Sequence, residues 1–188
     1  QLVRQLYADG TISTDSYHKL INSQERHFDS DGALPLSDRK YVFKQFEEGR
    51  FIRFVRRHAW LMRLLKRPLT RRVVMLSDLG RGFLSLQRDS QDELAALRNA
   101  GIPEAQARSI FSTLEAEVRE NIERMRDCLD KLAADWPEAY SSALTSKAAR
   151  MMLCNERRTV RNLTWDGVMS AKDGERCEES IDSRASRL

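Results

Sequence analysis

Three histidines, three cysteines and one dense run of arginines are the residues of this 188-residue chain whose types could carry chemistry. His18, His27 and His58 have no serine, cysteine or paired carboxylate at a spacing that would make a nucleophile and base. Surface or core placement is expected for all three. A pH-sensing role for His18 or His27 is the one chemistry their type offers, because imidazole titrates near neutrality. Cys128, Cys154 and Cys177 stand far apart, with no CxxC and no histidine at ligand spacing. They predict ordinary packing in a reducing compartment, with neither metal nor cofactor. Gly80-Arg81-Gly82 is no phosphate loop, since it sits inside a helical pattern without a preceding strand or a following Lys-Ser/Thr. No catalytic residue is assigned, and the chain is expected not to be an enzyme.

The basic run is the stronger signal. Residues 50–72 hold nine Lys/Arg and no acid, so with +4 overall the rest of the chain nets −5. Arg50, Arg53, Arg56, Arg57, Arg63, Lys66, Arg67, Arg71 and Arg72 interleave with Phe51, Phe54, Val55, Trp60, Leu61, Leu64 and Leu65. That is the composition of an interfacial or partner-binding helix. Arg53, Arg56, Arg57, Trp60, Arg63, Lys66 and Arg67 are the candidate contacts to a membrane surface or a partner. The competing reading is a helix with its apolar side in the core and its arginines solvated or paired with the acidic body. Nucleic acid is not expected, because it would call for a more basic domain as a whole.

The elements that must position these residues are helical. From Ile110, the positions Leu114, Val118, Ile122, Met125, Leu129, Leu132 and Trp136 recur three or four apart, one apolar stripe on one long helix. Glu115, Arg119, Glu120, Arg124, Arg126, Asp127, Asp130 and Lys131 form its solvated face, with Glu115/Arg119 and Glu120/Arg124 in the favourable order. At 1.5 Å per residue the helix is roughly 40 Å long, a spine along which neighbours must lie. Before it, Val73, Leu76, Leu79, Phe83, Leu94 and Leu97 predict another long helix, capped by Thr70, closed by Gly101 and weakened at Gly80 and Gly82. Pro68 is expected to end the basic helix and Pro103 to open the spine. After the break at Trp136-Pro137, Tyr140, Leu144, Ala148, Met151, Met152 and Leu163 predict a further helix that Gly167 closes. Near the start, residues 2–8, 14–27 and 38–48 read as shorter helices, with a loop over 28–36 and a kink at Gly49. No stretch alternates with period two. The fold expected is all-α, an elongated bundle of long antiparallel helices with short helical hairpins.

A charged content of 32 % suits long solvated helices, and no window approaches the roughly 18 apolar residues of a membrane span. The chain opens on Gln1, with Leu2, Val3 and Leu6 already helical in pattern. The expectation is therefore a single helical domain over 1–188, a fragment of a larger protein that continues upstream.

Shifted by 157 residues, the chain repeats itself. Val3 to Ser13 aligns with Val160 to Ser170, and six of eleven positions are identical: Val3/Val160, Arg4/Arg161, Leu6/Leu163, Asp9/Asp166, Gly10/Gly167 and Ser13/Ser170. The pattern is a helix, a left-handed glycine stop, an apolar residue that packs back, and a serine cap. Gln45 to Phe51 is a weaker third copy, with Ile52 in place of the serine. At these residues the chain resembles the cytosolic region that follows the membrane domain in bacterial cation:proton antiporters of the sodium/hydrogen exchanger type. The steps that carry the resemblance are Leu6 to Ser13, Gln45 to Phe51 and Glu156 to Ser170, with Tyr140 to Leu144 in character. Together they cover about a quarter of the chain. Lys172-Asp173-Gly174 departs from the pattern, where a second apolar-faced helix would close the last hairpin.

The resemblance implies a cytosolic regulatory or dimer-stabilising domain of a sodium(cation)/proton antiporter, on the cytoplasmic side of the bacterial inner membrane. It implies ion-binding carboxylates in the absent membrane part, so no transport residue is carried over. Its partners would be the transmembrane domain of the same chain, anionic lipid and a second copy. The alternative is a soluble helical scaffold that binds a protein partner or anionic lipid.

Overall fold

The computed structural model describes residues 2–28, 40–47, 66–99 and 105–186, and at 24, 26–28, 40, 66 and 105–108 the backbone alone. These residues form seven helices: α1 (Leu2–Ala8), α2 (Thr14–Phe28), α3 (Lys40–Phe46), α4 (Lys66–Asn99), α5 (Ala105–Asp135), α6 (Pro137–Trp165) and α7 (Ala171–Ala185). No strand occurs among the described residues. The fold is an all-α bundle of long helices, and among the described residues no helix is long and apolar enough to cross a membrane.

The organiser is α4 rather than the expected spine α5. Helices α1, α2, α3, α5 and α6 all pack against α4. The two glycines that weaken its middle in isolation are the reason. A methyl group at Gly80 would come within 2.8 Å of Leu129 and 3.0 Å of Phe46, and one at Gly82 within 2.9 Å of Leu20 and 3.0 Å of Ile12. Gly80 therefore admits α5 and α3, and Gly82 admits the α1–α2 hairpin. The cost of about 1 kcal/mol for each helical glycine is offset by close packing of large side chains. The helix runs unbroken through both glycines. Pro68, expected at a break, lies inside the first turn of α4, where proline forfeits no intrahelical bond. Thr70 accordingly lies within the helix rather than at its N-cap.

Around this hub the core gathers Val3, Ile12, Leu20, Val42, Phe43, Leu79, Phe83, Met125 and Leu129. Phe43 meets Phe83 edge-on at 5.6 Å. The α5 stripe is buried from Val118 to Leu132, but Ile110 is 60 % exposed and Leu114 only half-buried. The solvated face is as expected, with Glu120 and Arg124 paired at 3.9 Å, whereas Glu115 meets Arg98 on α4 at 3.7 Å.

Of the expected α6 stripe only Tyr140 packs against the core, with Leu163 half-buried. Leu144, Met151 and Met152 are exposed, and the buried positions are Ala143 and Leu153. Their helical neighbours on that side include Lys147 and Arg150, so α6 turns a partly charged face inward. Helix α7, which Lys172-Asp173-Gly174 argued against, forms: the Ser170 hydroxyl caps it by accepting from the Asp173 N–H at 3.2 Å. Gly174 makes its approach to α6 possible, because a Cβ there would meet Thr164 Oγ1 at 2.6 Å.

Candidate functional site

Of the residues expected at a membrane or partner surface, Arg53, Arg56, Arg57, Trp60 and Arg63 lie outside the described residues, as does His58. Lys66 opens α4 with its side chain undescribed, and Arg67 is exposed on the next position. Arg72, further along the basic run, lines a groove of about 650 Å³ between α3, α4 and α5, with Phe46, Val73 and Trp136 in its walls. Arg124, Asp127, Lys131 and Asp135 alternate in sign along its α5 wall, and Glu47 and Arg72 line the other walls, so the groove carries both signs of charge. His18 is exposed and meets the Tyr17 ring edge-on at 5.4 Å. The side chain of His27 is not described. The three cysteines are half-buried free thiols, and burial pushes the Cys128 thiol up. No group of acidic, histidine or cysteine residues able to hold a metal ion occurs among the described residues.

The structure assembles a different polar site, where the α1–α2 hairpin meets α4 and α6. Gly10 ends α1 at φ +70°, a conformation glycine alone adopts freely. A Cβ there would lie 2.9 Å from Cys154 Sγ and 3.0 Å from the Arg150 carbonyl, so the turn rests directly on the α6 backbone. From the turn, Ile12 enters the core beside Gly82, and Ser13 and Ser16 join their hydroxyls at 3.0 Å. Ser16 donates onward to the Met75 carbonyl at 3.1 Å.

Below the hairpin lies Asp78, with 1 % of its side chain exposed. Arg150 Nη2 donates to its Oδ2 at 2.5 Å, while Oδ1 is buried without a hydrogen-bond partner among the described residues. Burial pushes the Asp78 carboxyl up, against the opposing pull of Arg150, Ser13 and Lys147. Lys147 is pushed down by burial and by Arg81, which itself donates to the Tyr140 hydroxyl at 3.0 Å. One buried carboxylate thus faces two cations, Arg150 and Lys147. The arrangement is an electrostatic clasp joining α4 to α6 beneath the hairpin. Nothing in the spacing of Asp78 and Arg150, 72 residues apart, points to the pair.

The repeat seen in the sequence is also one in three dimensions. Gly167 has φ +71°, matching Gly10. Gly10 N–H donates to Tyr7 and Gly167 N–H to Thr164, at 3.0 and 3.2 Å; Thr11 and Val168 donate back to Leu6 and Leu163, both at 2.9 Å. Ser170 and Asp173 join side chains at 2.7 Å, as Ser13 and Ser16 do. The tilted ring pair Tyr7/Tyr17, 4.9 Å apart, is replaced by Thr164 and Gly174 at the same two positions. The weaker copy at Gln45 is described only as far as Glu47, where α3 has ended at Phe46. In comparison with known protein families and with curated proteins, the chain matches no family and no curated sequence.

Proposed function

We propose that the chain is the cytosolic regulatory or dimer-stabilising domain of a bacterial sodium(cation)/proton antiporter, held at the cytoplasmic face of the inner membrane. The observation that supports this reading is the paired helix-glycine-apolar-serine step, Leu6 to Ser13 and Leu163 to Ser170, which carries the resemblance and has the same backbone bonds in both copies. On this reading α1 is the junction to the last transmembrane helix. The hairpin it opens rests on Arg150 and Cys154, so a displacement of the membrane domain would be felt first at the contact of Gly10 with α6. Regulation would then be a change in hairpin docking rather than chemistry at a catalytic residue. The basic run over 50–72 would face anionic lipid, where each nearby Lys or Arg contributes on the order of 1 kcal/mol.

The test is to determine the reading frame upstream of Gln1 and, where it encodes transmembrane helices, to measure cation-driven proton flux in vesicles with and without residues 1–188. Transport that persists in the truncated protein with an altered activation profile is the expected result. A start codon within a few residues of Gln1 overturns the reading.

A further inference from the structure

Gly80 lies against Leu129 and, further along the pair, Arg98 meets Glu115, so α4 and α5 run antiparallel. Their facing positions keep coiled-coil spacing, Phe83, Gln87, Ser90, Leu94 and Leu97 on α4 against Leu114, Val118, Asn121 and Met125 on α5. Two amides therefore stand in an apolar seam. Gln87 and Asn121 are each 3 % exposed, yet neither side chain has a hydrogen-bond partner among the described residues. Carboxamides buried only to fix the register of two helices would be joined to each other or to the backbone. These line a cavity of about 160 Å³ between the two helices instead.

The rest of the lining selects the occupant. A carboxamide can turn either its oxygen or its NH2 group to a ligand, so the charged groups set the sign. Glu117 contributes a carboxylate whose Oε2 is buried without a hydrogen-bond partner among the described residues, and Glu93 contributes a second, exposed one. No lysine or arginine lines the cavity, and Arg98 and Arg124 on the same two helices are paired with Glu115 and Glu120. The Ser90 hydroxyl donates to the Leu86 carbonyl, which leaves its oxygen to accept. The site therefore fits a cation that donates hydrogen bonds. Leu94, Leu114 and Val118 complete the wall. A hydrated inorganic ion would set its water against these apolar side chains, whereas an alkyl chain would cover them. Glu93 lies six residues beyond Gln87, about 9 Å along the helix, and so offers a second anion toward the far end of such a chain. We propose that this cavity binds a linear aliphatic diamine. One ammonium donates to the Gln87 and Asn121 carbonyls and to Glu117, the methylenes lie on Leu94 and Leu114, and the second ammonium meets Glu93.

Titrating diaminobutane into the 188-residue chain, followed by calorimetry and by the side-chain NH2 resonances of Gln87 and Asn121, tests it. Saturable heat and shifts of both carboxamide signals are expected, where sodium chloride at equal ionic strength and the neutral butanediol produce neither. Butylamine, which has a single ammonium, and the variant Glu117→Gln, which keeps the shape of the wall, should each weaken binding roughly tenfold or more through the lost charge-assisted hydrogen bond. The melting temperature of Glu117→Gln without ligand should match that of the parent, which separates loss of binding from loss of fold. No saturable heat up to about 10 mM diamine, carboxamide shifts that sodium chloride reproduces, butylamine binding as tightly as the diamine, or affinity that Glu117→Gln leaves unchanged overturns the proposal.

Discussion

Replacing Arg150 by Met keeps the aliphatic stem beneath Gly10 but leaves the Asp78 carboxylate without its ion-pair partner at 1 % exposure. Removing one member of a buried pair costs about 3–5 kcal/mol, whereas replacing both members by neutral groups is often harmless. At 2–4 °C per kcal/mol for a chain of this size, Arg150→Met should lower the melting temperature by roughly 10 °C, and Asp78→Asn/Arg150→Met should recover most of the loss. The acid limb carries a second signature. Burial raises the folded-state pKa of Asp78 above its unfolded value, so its proton stabilises the fold fully below the unfolded pKa. That contribution is lost as pH rises through the folded pKa. Relative to Asp78→Asn, the parent should therefore weaken as pH climbs from about 3, and Arg150→Met should weaken further and continue to a higher pH. Thermal melts of the four proteins between pH 3 and 8 provide the assay. A cost for Arg150→Met below about 1 kcal/mol, or a double variant no better than the single, would refute the clasp.

Gly10→Ala should cost more than Gly167→Ala, since both take the left-handed strain of about 1–2 kcal/mol but only Gly10 presses on backbone atoms at 3.0 Å; equal urea midpoints would refute the docking of the turn. Leu129→Asp should cost several kcal/mol by burying an unpaired charge, while Ile110→Asp, at a position 60 % exposed, should leave the melting temperature within a degree or two. Vesicles containing anionic lipid should bind the chain, release it as salt rises and lose it on replacement of Arg53, Arg56, Arg57 and Arg63 by Gln; binding that survives the quadruple replacement counts against the membrane-facing role of the basic run.

Periodicity and turn chemistry, both local, determined much of this protein from its residues alone. The apolar spacing of α4 and α5, the glycine stops at Gly10 and Gly167 and the absence of period-two alternation yielded an all-α bundle and the hairpin repeat. What a single helix cannot encode is which neighbour lies against which face, and there the tertiary structure decided. Gly80 and Gly82 read as weak points because helix propensity counts only the backbone's own cost, yet their missing side chains make α4 the hub. Ile110 continues the α5 stripe by spacing but lies beyond the helices that cover Val118 to Leu132. On α6 the apolar spacing runs through Tyr140, Leu144, Ala148, Met151, Met152 and Leu163, of which Leu144, Ala148, Met151 and Met152 lie exposed. Packing turned Lys147 and Arg150 inward instead, since Asp78, 72 residues away, supplies the counter-charge that makes a cation tolerable there. The repeat was legible as sequence, but burial alone distinguishes its docked copy from its open one. Two segments with the same local code form the same hairpin, and only the helices folded against the first decide which face remains free.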